Sequence, residues 1–214
     1  FLFEYFNSDK GEFFIDQYVQ PSKRSKEKIK AHGYSKAYEE YLKNFKTDII
    51  NILEIGSFYG NASAALYFYF NNASIFGADI NPDMFKYRSK RITNFFVNSN
   101  SRLSIKENIL NRKINFKIII EDASHMLKDQ VISVFMLFKI LEPGGIFIIE
   151  EVDFPETRED MRKNQSQPDL KTILKNIEQN KDFKSEYVLE DEKEYFLKNI
   201  QHIKFLKGNF NEIA

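Results

Sequence analysis

The sequence has 214 residues, 43% apolar and 29% charged, with 31 basic and 31 acidic side chains and no cysteine. Such a chain is long enough for one globular domain with a sizeable core. Its charge balance speaks against a nucleic-acid partner, which calls for a basic excess or a basic face. The lack of cysteine excludes disulfides and thiolate metal sites. No apolar run approaches the roughly 18–20 residues that span a bilayer. The opening FLFEYFNSDKGEFF lacks the basic start and small-residue cleavage site of a signal peptide. A cytoplasmic protein without membrane insertion is therefore expected. Because the chain opens on Phe1 and stops in GNFNEIA, which reads as the start of a strand, its ends are expected to be trimmed from a longer protein.

Residues 1–48 form a polar extension studded with Tyr and Phe, with a loop signal in QPSKRSKEK and a helical pattern in SKAYEEYLKNFK. From residue 49 onward, short apolar runs alternate with amphipathic stretches. The runs predict strands over 49–56, 73–80, 94–99, 115–122 and 144–152. Between them, helices are predicted over 61–72, 83–92, 101–113 and 126–142, and the charged stretch 155–195 reads as one or two surface helices. Continuous apolar strands, each followed by a helix, predict an α/β fold with a mainly parallel sheet covered on both faces. The expected organisation is a single domain overall, an N-terminal extension over 1–48 covering the active site and an α/β unit over 49–214.

In open parallel sheets ligands bind at the carboxyl ends of the strands, near the point where strand order reverses. The first strand closes in LEIGSFYGNAS, which contains Glu54, Gly56, Ser57, Gly60 and Ser63. Gly56 permits a tight turn, and Gly60 lets the backbone approach a ligand at the helix entrance. The second strand closes on Asp79 in GADINP, placed to accept hydrogen bonds from both ribose hydroxyls of a nucleoside. The spacing is E-x-G-x-x-x-G, unlike the G-x-G-x-x-G of nicotinamide enzymes.

LEIGSFYGNAS followed by GADI resembles motifs I and II of class I S-adenosylmethionine-dependent methyltransferases, in a form similar to catechol-type and sugar O-methyltransferases. The resemblance implies a Rossmann-like methyltransferase fold with S-adenosyl-L-methionine as cofactor. It sets the 56–60 loop beside the methionine moiety, Asp79 on the ribose, and Asn98 in VNSNS near the adenine, where the sugar-methyltransferase relatives tend to carry aspartate. Glu54, Ser57, Ser63 and Asp122 join the expected cofactor-binding set.

The fourth strand runs three isoleucines into EDASH, with Glu121, Asp122 and His125; the fifth ends in IIEEVD, with Glu150, Glu151 and Asp153. These two strands are expected to be neighbours, bringing Asp122 beside Glu150 and Glu151. Three carboxylates converging without a compensating lysine or arginine would repel one another, and a hard divalent cation, Mg²⁺ first among them, removes that difficulty. EDASH and IIEEVD resemble the strand-end motifs of metal-dependent O-methyltransferases acting on deoxysugars of macrolide antibiotics. The resemblance runs over about residues 7–155 and includes SDKG at 8–11 and the neighbourhood of His32 and Tyr34. It implies Asp122, Glu150 and Glu151 as metal ligands, His125 as general base assisted by Asp122, and a sugar or glycan hydroxyl as acceptor.

The alternatives are another small acceptor (a diol, a phosphorylated alcohol or an amine) and a non-catalytic cofactor-binding subunit. A homo-oligomer is compatible with either. Around the motifs, Ser124 reads as a helix N-cap, Asp153 as a surface or supporting group, Glu121 as facing solvent or a neighbouring backbone, and His202 as structural.

Overall fold

The computed structural model describes residues 1–23 and 25–214. The predicted loop at 20–28 falls partly on Arg24, which lies outside the described residues. The N-terminal part contains α1 (Leu2–Tyr5), the short antiparallel pair β1 (Phe13–Phe14) and β2 (Ile29–Lys30), and α2 (Ser35–Leu42). The middle of the chain alternates β3 (Asn51–Ile55), α3 (Asn61–Tyr69), β4 (Ser74–Asp79), β5 (Ile92–Phe96), α4 (Arg102–Asn108), β6 (Phe116–Glu121), α5 (Leu127–Leu137) and β7 (Leu141–Ile149). It closes with α6 (Phe154–Thr157), α7 (Glu159–Arg162), α8 (Leu170–Asn180), α9 (Glu190–Asn199) and the pair β8 (Leu206–Lys207) and β9 (Glu212–Ile213).

The runs rich in isoleucine and phenylalanine pair into one parallel sheet of order β5-β4-β3-β6-β7. Its central strands are dry on both faces: Ile52, Leu53, Ile118, Ile119 and Ile120 are fully buried, which is why those runs do not alternate with polar residues. On one face Ile52, Ile75, Ile118 and Ile120 pack with Tyr38 and Leu42 of α2 and with Leu66 of α3. On the other, Leu53, Ile55 and Ile119 pack with Ile105 of α4 and with Ile132 and Met136 of α5. This three-layer, parallel arrangement is the Rossmann-like fold expected from the sequence.

Two expectations are corrected. No α-helix forms over 83–92; a single 3-10 turn, Pro82–Met84, is followed by extended chain. Phe85 is drawn inward instead, its ring lying where a side chain on Gly60 or Gly77 would be, and Lys86 N donates to Tyr59 O at 3.0 Å. Tertiary packing overrides the local helical pattern there. The stretch 155–195 forms more than one or two surface helices. Within it, α8 buries Leu170, Ile173, Leu174 and Ile177, an i, i+3, i+4, i+7 face, against Val131, Val134 and Phe135 of α5.

Boundaries also move at the fifth strand, predicted from 144 but pairing from Leu141, so that the helix before it ends at Leu137 and a short turn. At the far end of β7, Ile149 and Ala214 exchange backbone hydrogen bonds of 2.7 and 3.0 Å. An apolar cavity of about 530 Å³ runs along this flank, lined by Val134, Phe138, Ile146, Phe196 and Ile203 among others. No carboxylate of the site described below lines it. Among the described residues no helix is long and apolar enough to cross a membrane.

Candidate active site

From β3 the chain steps outward to β4 and β5, then returns to the other side of β3 as β6 and β7. The switch point therefore lies between the carboxyl ends of β3 and β6. Gly56 leaves β3 at φ +85°, and a Cβ on it would stand 1.9 Å from the Asp122 carbonyl oxygen, so only glycine lets the two strand ends meet. Gly60, at φ +79°, opens α3. Asp79 Oδ2 accepts from the Phe58 amide at 2.8 Å and Oδ1 from the Asn81 amide at 2.8 Å, so the acid braces the loop it faces. Phe58 itself is held at φ +45°. Ser63 Oγ donates to Glu54 Oε2 at 2.5 Å. Ser57 Oγ is buried with no hydrogen-bond partner among the described residues. Asn98, past the end of β5, accepts from the Asn100 amide at 3.1 Å.

The acidic half lies next to this loop. Register pairs Ile55 with Glu121 and Glu121 with Ile149, so Asp122 and Glu150 follow side by side. The ladder continues past the strands, with the Asp122 amide donating to Ile55 O at 2.9 Å and the Glu150 amide to Glu121 O at 3.0 Å. The expectation that these acids lie together is met; the expectation that no lysine compensates them is corrected. Lys10, 1% exposed, donates from Nζ to Asp122 and to Glu150 Oε2 at 3.0 Å, and stands 3.7 Å from Glu54 Oε1. Burial alone would lower the Lys10 pKa, but Asp122 and Glu150 outweigh it and hold the ammonium charged.

The two adjacent glutamates have opposite surroundings. Glu150 takes Lys10 on one oxygen and the Tyr38 hydroxyl on the other, and burial, partly offset by Lys10, pushes its carboxyl up to about 7. Glu151 accepts from the Tyr34 hydroxyl at 2.8 Å, and His32 Nδ1 lies 2.9 Å from the same oxygen. Burial opposes its ionisation, but His32, His125 and Lys10 together hold it at about 2. His125 Nε2 stands 3.6 Å from Asp122 Oδ1 and 3.6 Å from Glu151 Oε2. Burial lowers the His125 pKa, keeping the imidazole neutral at neutral pH. His125 and Glu151 sit at φ +55° and +48°, left-handed conformations that non-glycine residues keep only when their surroundings impose them.

Asp122, His125 and Glu151 each present one ligating atom within 4.8 Å of the others. Two carboxylates and a neutral imidazole fit a divalent cation. Glu150, expected with them as a ligand, is not one of these three, and both of its oxygens are engaged, by Lys10 and Tyr38.

The flanking residues support this cluster. Ser124 Oγ donates to Asp129 Oδ2 at 2.6 Å and accepts from the Met126 amide, the residue ahead of α5, instead of capping the helix itself. Asp153 is buried and accepts from the Glu212 amide at 3.0 Å. His202 is exposed. Glu121, expected at solvent or a backbone group, is 0% exposed, and burial, only partly offset by Ser133 and the Ala123 backbone, pushes its carboxyl up to about 8. Sequence reasoning missed Lys10 and Tyr38 as partners of the acids. SDKG marked the segment without naming the lysine's targets, and Tyr38 lies in the helical pattern SKAYEEYLKNFK, which names no partner for it.

A parallel sheet with a glycine loop after its first strand and an acid after its second defines a Rossmann-like class of protein. Residues 46–202 match the family described as "Methyltransferase domain", and the chain belongs to that family. It is 26% identical over 128 residues to an 8-demethyl-8-alpha-L-rhamnosyl tetracenomycin-C 2'-O-methyltransferase of Streptomyces olivaceus, a match covering 56% of this chain and 33% of that protein. It is 27% identical over 128 residues to a demethylmacrocin O-methyltransferase of Streptomyces fradiae, with 56% and 32% covered. Its fold is similar to that of MycE, a methyltransferase from the mycinamycin biosynthetic pathway solved in complex with Mg and SAH. There the TM-score is 0.58 and the identity 22%, with 68% of this chain and 42% of that one covered. The matched region thus spans about a third of the curated relatives' length and less than half of MycE.

Proposed function

We propose that this chain carries the catalytic core of an S-adenosylmethionine-dependent O-methyltransferase, assisted by a divalent cation, which methylates a hydroxyl of a sugar or glycan precursor. One observation carries the proposal. At a single switch point the glycine loop and Asp79 meet a cluster in which the carboxylates of Asp122 and Glu151 are spaced for a cation and the neutral imidazole of His125 stands beside them. The printed names of the relatives support an oxygen acceptor, and MycE, as solved, holds Mg and SAH.

In this proposal Glu54, Gly56, Ser57, Gly60, Ser63, Asp79, Asn98 and Asp122 surround the cofactor. Ser57 Oγ, buried and without a partner among the described residues, fits a site built to receive a polar ligand. Asp122 and Glu151, with Glu150 behind them, hold the cation, a hard ion such as the Mg that MycE holds as solved. When bound, the cofactor supplies an electrophilic methyl group and the cation lowers the pKa of an acceptor hydroxyl. His125, neutral through burial, takes the hydroxyl proton at Nε2. Asp122 and Glu151 flank that nitrogen and stabilise the imidazolium that results. The remaining contribution is positioning, provided by strand ends that a parallel register holds side by side.

Isothermal titration with S-adenosylhomocysteine, followed by transfer of a labelled methyl group to a panel of sugars, diols, phosphorylated alcohols and amines, tests the proposal. Binding, with transfer to a sugar hydroxyl that EDTA abolishes and Mg²⁺ restores, is the expected result. No binding at millimolar S-adenosylhomocysteine would sink the cofactor assignment, and full transfer in EDTA would sink the cation's role.

A further inference from the structure

Lys10 brings a fixed positive charge into a cluster that also has the donors for a metal ion. Its ammonium is met by carboxylates from three adjacent strand ends: Glu54 of β3, Asp122 after β6 and Glu150 after β7. The oxygens divide into two groups. Asp122 Oδ2 and Glu150 Oε2 face Lys10, whereas Asp122 Oδ1 and Glu151 Oε2 each stand 3.6 Å from His125 Nε2. Asp122 therefore belongs to both groups, one oxygen on each side.

The lysine is held in place by its backbone. Tyr34 N donates to Lys10 O at 2.9 Å, with Gly33 N to Gly11 O at 2.7 Å and His32 N to Asp9 O at 2.8 Å on either side. A single carboxylate would suffice to anchor a buried lysine. Three carboxylates and a pinned backbone make a seat for a cation.

We propose that Lys10 is the resident cation of this cluster, an intramolecular competitor that shares Asp122 and Glu150 with the divalent ion and limits how tightly that ion binds. The proposal rests on the cation role assigned above. A divalent ion on the His125 side of Asp122 meets a unit positive charge at the far oxygen of its own ligand, in surroundings that screen poorly. Removing the ammonium frees two carboxylate oxygens and takes away that repulsion.

Titration of Mn²⁺ followed by electron paramagnetic resonance, on the wild type and on Lys10→Met, tests the idea. Lys10→Met is expected to bind Mn²⁺ at least tenfold more tightly; equal or weaker binding, or none to either form, overturns it. Should the variant fail to fold, nitrogen-15 lysine spectra of the wild type decide. One slowly exchanging ammonium resonance is expected, shifting as Mg²⁺ is added. No such resonance, or one that stays still through the titration, overturns the proposal. S-adenosylhomocysteine titration, run in parallel, reports on the cofactor assignment separately. Its failure beside an intact Mn²⁺ response would leave Lys10 as proposed and remove only the cofactor.

Discussion

At the carboxyl ends of β3 and β4 the candidate site is made of main chain, whereas at the ends of β6 and β7 it is made of charge. The first half consists of two glycines at positive φ, a loop of amides and one aspartate that braces the loop. The second packs Asp122, Glu150 and Glu151 around Lys10, Tyr34, Tyr38, His32 and His125. A backbone-built half depends on steric permission and tolerates side-chain change away from its glycines. A charge-built half depends on pairing, so losing one partner leaves another buried and uncompensated.

Four substitutions sharpen this contrast. The largest effect is expected from His125→Gln, which should lower kcat by about 10²–10⁴-fold while S-adenosylhomocysteine affinity stays within about threefold, because the imidazole belongs to the charged half alone. Methyl-transfer assays beside titration calorimetry separate the two quantities, and a matching loss of binding would contradict the division. Gly56→Ala strikes the seam, where the new Cβ meets the Asp122 carbonyl oxygen at 1.9 Å and φ is +85°. A destabilisation of about 3 kcal/mol or more is expected from the strained backbone and the clash, read from urea unfolding midpoints.

Glu121→Gln tests burial in the charged half through pH. The folded carboxyl is pushed up to about 8, well above its ordinary 4.5. The native state therefore keeps a proton that the unfolded chain releases. Stability from this group is complete below about pH 4.5 and is lost as pH rises through about 8. The variant should match the wild type in acid, exceed it by about 2 kcal/mol at about pH 6, and exceed it by more in mild alkali. A wild-type advantage that grows with pH would refute the sign. Smallest of the four, Asp79→Asn should weaken S-adenosylhomocysteine binding by about tenfold, the loss of one charged hydrogen-bond acceptor, with little change in metal affinity.

The same contrast explains what the sequence disclosed. LEIGSFYGNAS and GADI close two consecutive strands, where a turn, a helix entrance and an acid follow from local chemistry, and the structure has the turn at Gly56, the helix entrance at Gly60 and the acid at the end of β4. The parallel sheet was legible because most of its strands are short apolar runs, each followed by an amphipathic stretch. The nearness of Asp122 to Glu150 followed from one topological rule. Lys10 did not follow, because no local pattern reports that a charge at residue 10 will neutralise acids at 122 and 150. Phe85 was misread for a related reason. Its helical spacing is genuine, but the space left by Gly60 and Gly77 captures the ring. Glu121 and Asp122, neighbours in one motif, differ because one lies in the dry layer and the other meets an ammonium.

Lys10 reaches Asp122 across 112 residues and Glu150 across 140. Contacts that close loops of this length carry an entropic penalty that local pairings escape, and they favour late formation during folding. The sheet can assemble from neighbouring strands and helices while the acids at its rim still lack their ammonium. The acid cluster has its ammonium only where the N-terminal segment is docked against the strand ends.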